Sequence, residues 1–234
     1  MSSLTLVRHG QATPFDKVTD RLSDVGVAQG RALGAFWRSQ SRVFTDAVSG
    51  SLNRHVQTVD AVRSAGYDLP PLRIDPGWNE YRADEILTGL KPLLAERDPA
   101  FAKLVQASDQ ALGGSERNRH FQRMLEVLMD AWLTGAVSAD GVETFTEFRG
   151  RVAQSLRVIL NGASGRDVVV FTSGGPIGLC VQYALKAPDK AFMDVNWRMR
   201  NASVTEFTFS ASRLSLDTMN TLPHLPDRSQ WTWR

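Results

Sequence analysis

The stretch Leu4–Thr13, LTLVRHGQAT, starts as the apolar run of a buried strand and stops on Arg8, His9 and Gly10. A strand that ends on a cation, an imidazole and a residue without a side chain delivers polar chemistry from its carboxyl end, where open α/β sheets place ligands. Two later stretches repeat the arrangement. In AVSGSLNRHVQTVDAV (Ala47–Val62) a short apolar strand turns at Ser49 and Gly50, and Arg54 enters the first turn of a helix with Thr58 one turn later. In DVVVFTSGGPIGLCV (Asp167–Val181) the strand runs into Ser173, Gly174 and Gly175, with Pro176 expected as the first helical residue. Free amides and the dipole at a helix N-terminus favour an anion, and glycines let backbone amides approach it closely. Three junctions offering an imidazole, two guanidinium groups, hydroxyls and amides suit a phosphoryl group better than a sugar or a hydrocarbon.

Composition narrows the function further. At 234 residues and 42% apolar content the chain can bury one sizeable core, so a single domain over residues 1–234 is expected. The net charge is only +2 and the basic residues are scattered, which argues against nucleic acid as a partner. The lone cysteine, Cys180, excludes an internal disulfide and a multi-cysteine metal cluster, and its apolar neighbours make it a small core residue. The N-terminus reads as free of a basic-then-apolar leader, and no apolar run reaches the roughly 20 residues a bilayer span needs. The expectation is a cytoplasmic protein with no membrane partner, no metal and no cofactor, its oligomeric state open.

Strands are expected at Leu4–Val7, Asp46–Ser49, Leu72–Asp75, Asp167–Thr172, Ser203–Ser210 and Arg213–Met219, the last two as an antiparallel hairpin. Helices are expected after the N-cap Ser23, with Val27, Leu33, Phe36 and Trp37 facing the core, and over Arg54–Ala65 and Phe145–Leu160. This β-α-β order predicts a three-layer α/β/α sandwich around a mostly parallel sheet. From about 84 to 140 three helical patterns follow one another without a strand. That segment reads as a helical insertion, either a lid over the crevice or an extra packing layer.

The ordered motifs LTLVRHGQAT, SGSLNRHVQT, WNEYRAD and VVVFTSGG, with GVETFTEFRGRV, RNASVTEFTF and MNTLPHL around them, resemble the histidine phosphatase superfamily, which also contains the phosphoglycerate mutases. The resemblance covers nearly the whole chain and implies a phosphoglycerate mutase-like fold. It implies hydrolysis of phosphomonoesters, on small molecules or phosphorylated side chains, through a phosphohistidine. His9 would be the nucleophile, Arg8 and Arg54 the phosphoryl clamp, and Glu80 the proton donor, with Asp84 and Glu85 as nearby acidic alternatives. Gln11, Ser173 and Gly174 complete the phosphate-binding set. His9 is expected to donate from one ring nitrogen to a backbone carbonyl such as that of Gly10, leaving the other free to attack.

One departure stands out. Most members carry a second histidine where this chain has Ser173, and a neutral hydroxyl in its place forfeits about 1 kcal/mol or more of charge-assisted stabilisation. His55 is a candidate substitute, although on a helix its side chain projects about 100° from that of Arg54. His120 would serve only if the insertion folds over the site. His224, Arg82, Arg198 and Arg200 read as structural or solvated, Arg200 being the one placed to face the crevice. Trp231 and Trp233 are expected to pack back on the domain. A mutase, or a module that binds a phosphorylated ligand without turning it over, are the alternative functions.

Overall fold

The computed structural model describes residues 2–13, 20–111 and 116–233. They form two compact units, one from residues up to Glu80 together with Arg151 onward, the other from Tyr81–Gly150.

The first unit is built on one six-stranded sheet. Its strands are β1 (Ser2–Arg8), β2 (Asp46–Ser49), β3 (Leu72–Ile74), β4 (Asp167–Thr172), β5 (Val204–Ser210) and β6 (Arg213–Thr221), in the spatial order β3-β2-β4-β1-β5-β6. β3, β2, β4 and β1 run parallel, while β5 and β6 add the antiparallel hairpin expected at that edge. Helices α1 (Asp24–Ser39) and α2 (Asn53–Ser64) make connections that step the same way across the sheet, so right-handed crossovers put them on one face. The return from β3 to β4 steps the other way and carries α6 (Phe145–Leu160) to the opposite face. With helices on both faces the strands must be apolar on both, and they are. Val7, Val169 and Phe171 pack with Leu33, Trp37, Val59 and Val62 of α1 and α2. The alternate residues Leu4, Leu6, Val168 and Val170 are fully buried as well.

Helix α1 starts where expected, with the Ser23 side chain accepting from the Gly26 amide at 3.1 Å. Its buried face differs from the expected one. Val27 and Phe36 are only half-buried, and Gly26, Gly30 and Gly34 lie inside with Leu33 and Trp37. A Cβ at Gly30 would stand 2.7 Å from that of Ala61, and one at Gly34 would collide with the Val62 carbonyl. Close backbone approach to α2, rather than large side chains, sets this helix pair. Helix α7 (Gly174–Leu185) starts at the glycines, two residues before the expected Pro176, because nothing in the glycine pair prevents the first turn from forming there; its Cys180 is buried, which pushes the thiol up to about 12 and leaves an inert core group.

The second unit contains α3 (Ala83–Arg97), α4 (Pro99–Gln110), α5 (Arg117–Thr134) and the start of α6, the three successive helices expected from the pattern. Leu112, counted in the second of those patterns, lies outside the described residues. Asp98 caps α4 by accepting from the Ala100 and Phe101 amides, and Gly135 ends α5 in the left-handed conformation (φ 71°). Trp132 anchors this unit's aromatic core, 5.3 Å from Tyr81 and 5.4 Å from Phe145, with its indole donating to the Glu143 carbonyl at 2.7 Å. Among the described residues no helix is long and apolar enough to cross a membrane.

Candidate active site

The parallel register pairs Arg8 with Thr172, so the next residues along β1 and β4, His9 and Ser173, stand side by side at the carboxyl ends of adjacent central strands. From β1 the chain leaves toward β2, and from β4 it leaves toward β5. That reversal is the switch point at which such sheets open a crevice.

The backbone of His9 is locked by its amide donating to the Thr172 carbonyl at 2.9 Å and its carbonyl accepting from Ala202 at 3.0 Å. Its Nδ1 lies 2.7 Å from the Gly10 carbonyl. A carbonyl only accepts, so Nδ1 carries the proton and Nε2 of the neutral ring keeps its lone pair. Burial, then Arg54, Arg8 and His55, hold the His9 pKa well below the ordinary value of 6.5, against a smaller upward pull from Gly10. His9 keeps 6% exposure while Ser173 and His55 have none, so the His9 ring is the one with access to solvent. Gly10 answers the question raised by its place in the motif: a side chain there would run into the backbone of Gly26, and its amide donates to Thr58 Oγ1 at 3.1 Å.

Both guanidinium groups border this imidazole, and each is already engaged. Arg8 donates from one nitrogen to the Met199 carbonyl and, at 3.1 Å, to the Trp233 carbonyl. Arg54 pairs with Asp20 at 2.7 Å, both partly buried. Asp20 also accepts from the Asn53 amide at 2.8 Å and so caps α2, whose own N-cap residue Leu52 has no side chain to do it. An anion arriving at Arg54 must share that group with Asp20. Asp20→Asn is therefore expected to tighten inorganic phosphate binding by about two- to fivefold, the range of a partly exposed ion pair. Calorimetric titration with phosphate checks this, and an unchanged affinity would show that the pair does not compete.

Glu80 places its carboxylate on the first turn of α7, where Oε2 accepts from the Gly175 amide at 3.0 Å. Arg151 sets its position from behind, donating to the carbonyls of Gly77 (3.2 Å), Asn79 (2.6 Å) and Glu80 (3.0 Å). Of the acidic alternatives, Asp84 and Glu85 belong to the helical unit, and Glu85 pairs with Arg82 at 3.1 Å. Gln11 turns its side-chain oxygen to Ser23 Oγ at 2.8 Å, and the Cα of Gly174 faces Asn196.

His55, the candidate substitute, stands beside Ser173 despite the helical offset that argued against it. Projection away from Arg54 does not carry it out of the site, because α2 is buried on that side against the end of β4. Its Nε2 lies 2.7 Å from Ser173 Oγ and its ring centroid 5.7 Å from that of His9. Arg200 is held by the chain terminus, 4.5 Å above the Trp231 ring and 5.8 Å from that of Trp233, while Trp233 stays 45% exposed. Asp20 and Arg151 escaped the sequence reading because Asp20 lies outside any periodic run and Arg151 is a polar position of helix α6 whose partners are far away in the chain. The one signal was a helix, α2, beginning without a capping side chain.

Burial also depresses the pKa of His224, from 6.5 to about 4, and that of His55. The unfolded chain takes up protons at His9, His55 and His224 near pH 6.5, and the folded chain resists them. Stability is thus complete above about pH 7 and falls as pH drops through 6.5. For His224 alone the loss continues to its folded value of about 4 and amounts to about 3 kcal/mol. A urea midpoint that falls clearly between pH 7.5 and pH 5 is expected; a flat one would mean that these rings are protonated in the fold.

The doubly covered α/β sheet thus carries, at its switch point, a neutral strand-end imidazole that feels two nearby guanidinium groups. The sequence profile of the histidine phosphatase superfamily (branch 1) matches residues 4–133 and 117–222. The chain belongs to that superfamily. Solved structures share its fold at low identity. The phosphoserine phosphatase of Entamoeba histolytica, crystallised as a mutant with phosphoserine, has a TM-score of 0.63 at 16% identity, covering 96% of this chain and 100% of its own. Phosphoglycerate mutase of Bacillus anthracis gives 0.62 at 16%, covering 96% and 95%. A mycobacterial glucosyl-3-phosphoglycerate phosphatase, solved with inorganic phosphate, gives 0.61 at 20%, covering 95% and 98%. No protein of curated function matches the chain by sequence.

Proposed function

We propose that the protein is a phosphatase that hydrolyses phosphomonoesters through a phosphohistidine on His9. The observation that carries this reading is the bond from His9 Nδ1 to the Gly10 carbonyl, which leaves a neutral, positioned Nε2 beside Arg8 and Arg54. Nε2 attacks phosphorus and the bond to the leaving oxygen breaks, that oxygen taking a proton from Glu80. Water then attacks the phosphorus of the phosphohistidine, gives its proton to Glu80, and releases phosphate and free His9. Arg8 and Arg54 neutralise the phosphoryl oxygens, aided by the Gly174 amide, Ser173 and the Gln11 side chain. Phosphoryl transfer asks for little beyond this positioning and charge. Substrates are phosphorylated small molecules or phosphorylated side chains, in a cytoplasmic setting, with the helical segment as an insertion in one functional domain.

The test is turnover of an aryl phosphate near pH 7, with and without a chelator, followed by acid quench to trap phosphate on the protein. Chelator-insensitive turnover with an acid-labile phosphoprotein supports the reading. Phosphate binding without turnover would make the protein a binding module, and transfer between two phosphoglycerate positions would make it a mutase.

A further inference from the structure

We propose that Ser173 and His55 act as one unit, in which His55 is a positioning residue that orients the Ser173 hydroxyl toward the phosphoryl group held at His9. This rests on the phosphatase reading above and assigns a further residue to it.

Both side chains are fully buried, and Ser173 Oγ and His55 Nε2 are 2.7 Å apart. The other nitrogen of His55, Nδ1, is buried without a hydrogen-bond partner. That asymmetry selects the tautomer. A buried N–H left without an acceptor is rarer and costlier than an unused lone pair, so the proton sits on Nε2 and is donated to Ser173 Oγ. With its oxygen occupied as an acceptor, the hydroxyl must direct its own proton elsewhere. The neighbouring end of β1 carries His9, whose ring lies 5.7 Å from that of His55.

The slot for the imidazole is built. Gly50 turns the chain between β2 and α2 and is not at positive φ, so its lack of a side chain answers to space rather than to backbone conformation. A Cβ at position 50 would collide with His55 Nδ1, stand 2.9 Å from Cε1 of that ring and lie 2.7 Å from Asn79 Oδ1. Two positions far apart in the chain have thus been fitted to each other. A serine at 173 leaves room at the end of β4, and an imidazole from α2 fills it. Ser173 lies where the resembled family carries a histidine, so an imidazole returns to that corner from a different element.

The experiment measures kcat and KM for an aryl phosphate, together with thermal melting, for wild type, His55→Ala, Ser173→Ala, the double variant and the exchange His55→Ala with Ser173→His. The expected result is a roughly 10- to 100-fold fall in kcat for each single variant with KM within about threefold. The double variant should be no worse than the weaker single, and the exchange should regain most of the loss by supplying the ring from β4. Should His55→Ala not fold, His55→Gln keeps a side-chain N–H donor and is expected to retain more kcat than Ser173→Ala. Wild-type kcat in His55→Ala, independent additive losses, or an exchange variant that folds yet stays as slow as His55→Ala would each overturn the inference. If the wild type is inactive, the phosphatase reading fails. If wild type is active, His9→Ala is dead and His55→Ala is unimpaired, only this inference fails.

Discussion

Alanine at position 9 is expected to lower turnover of an aryl phosphate by at least about 10⁴-fold, equivalent to about 5.5 kcal/mol of lost transition-state stabilisation, because no covalent intermediate can form. The fold should survive. The strand-end bonds of residue 9, from its amide to Thr172 and from Ala202 to its carbonyl, are backbone bonds that alanine keeps. The variant should also bind phosphate, since Arg8 and Arg54 remain, and it should lose the acid-labile phosphoryl label. It removes one of the three buried neutral imidazoles as well, so its stability should fall less steeply below pH 6.5. Retained turnover at wild-type pH dependence would mean that another group attacks phosphorus.

The second large effect is expected at Arg54. Arg54→Ala should reduce kcat/KM by about 10²- to 10³-fold, the range for removing a preorganised group that meets developing charge. Two things add up here: the guanidinium fork disappears, and Asp20, now without its 2.7 Å partner, presents an unpaired carboxylate to an incoming phosphate. Adding Asp20→Asn to Arg54→Ala should therefore recover part of the loss. Arg54→Lys should recover little, because an ammonium cannot hold two phosphoryl oxygens in a planar fork. Steady-state kinetics on these three variants and the wild type decide this, and equal rates for Arg54→Ala and wild type would remove Arg54 from the clamp.

Much of this site was legible along the chain. The strand that ends on Arg8 and His9, the helix that opens with Arg54, and the glycine turn after β4 each show a local change of pattern, and local pattern is what sequence carries best. The bond from His9 Nδ1 to the Gly10 carbonyl was expected too, because the nucleophile that the resemblance implies needs its other ring nitrogen bare. What failed was inference from helical geometry alone at His55. A side chain about 100° from Arg54 points away from it in any helix, but that does not decide whether it leaves the site. In the fold that direction is the buried one, and it leads to Ser173. The face of α1 was misread for a related reason. Leu33 and Trp37 are buried as expected, but Gly30 and Gly34 share that face because α2 approaches too closely for side chains there, and Gly26 because the Gln11 backbone does.

By itself the sequence determined the strands and the family and pointed to His9 as the candidate nucleophile, since strand ends, caps and glycine turns depend on residues only a few positions apart. The tertiary structure alone decided which groups oppose one another. Asp20 reaches Arg54, Arg151 holds the loop that carries Glu80, and the ring from α2 fills the space beside Ser173. These contacts join residues from 34 to 118 positions apart, and no local propensity encodes them; only the packing of α2 and α6 in the folded chain brings them within hydrogen-bond reach.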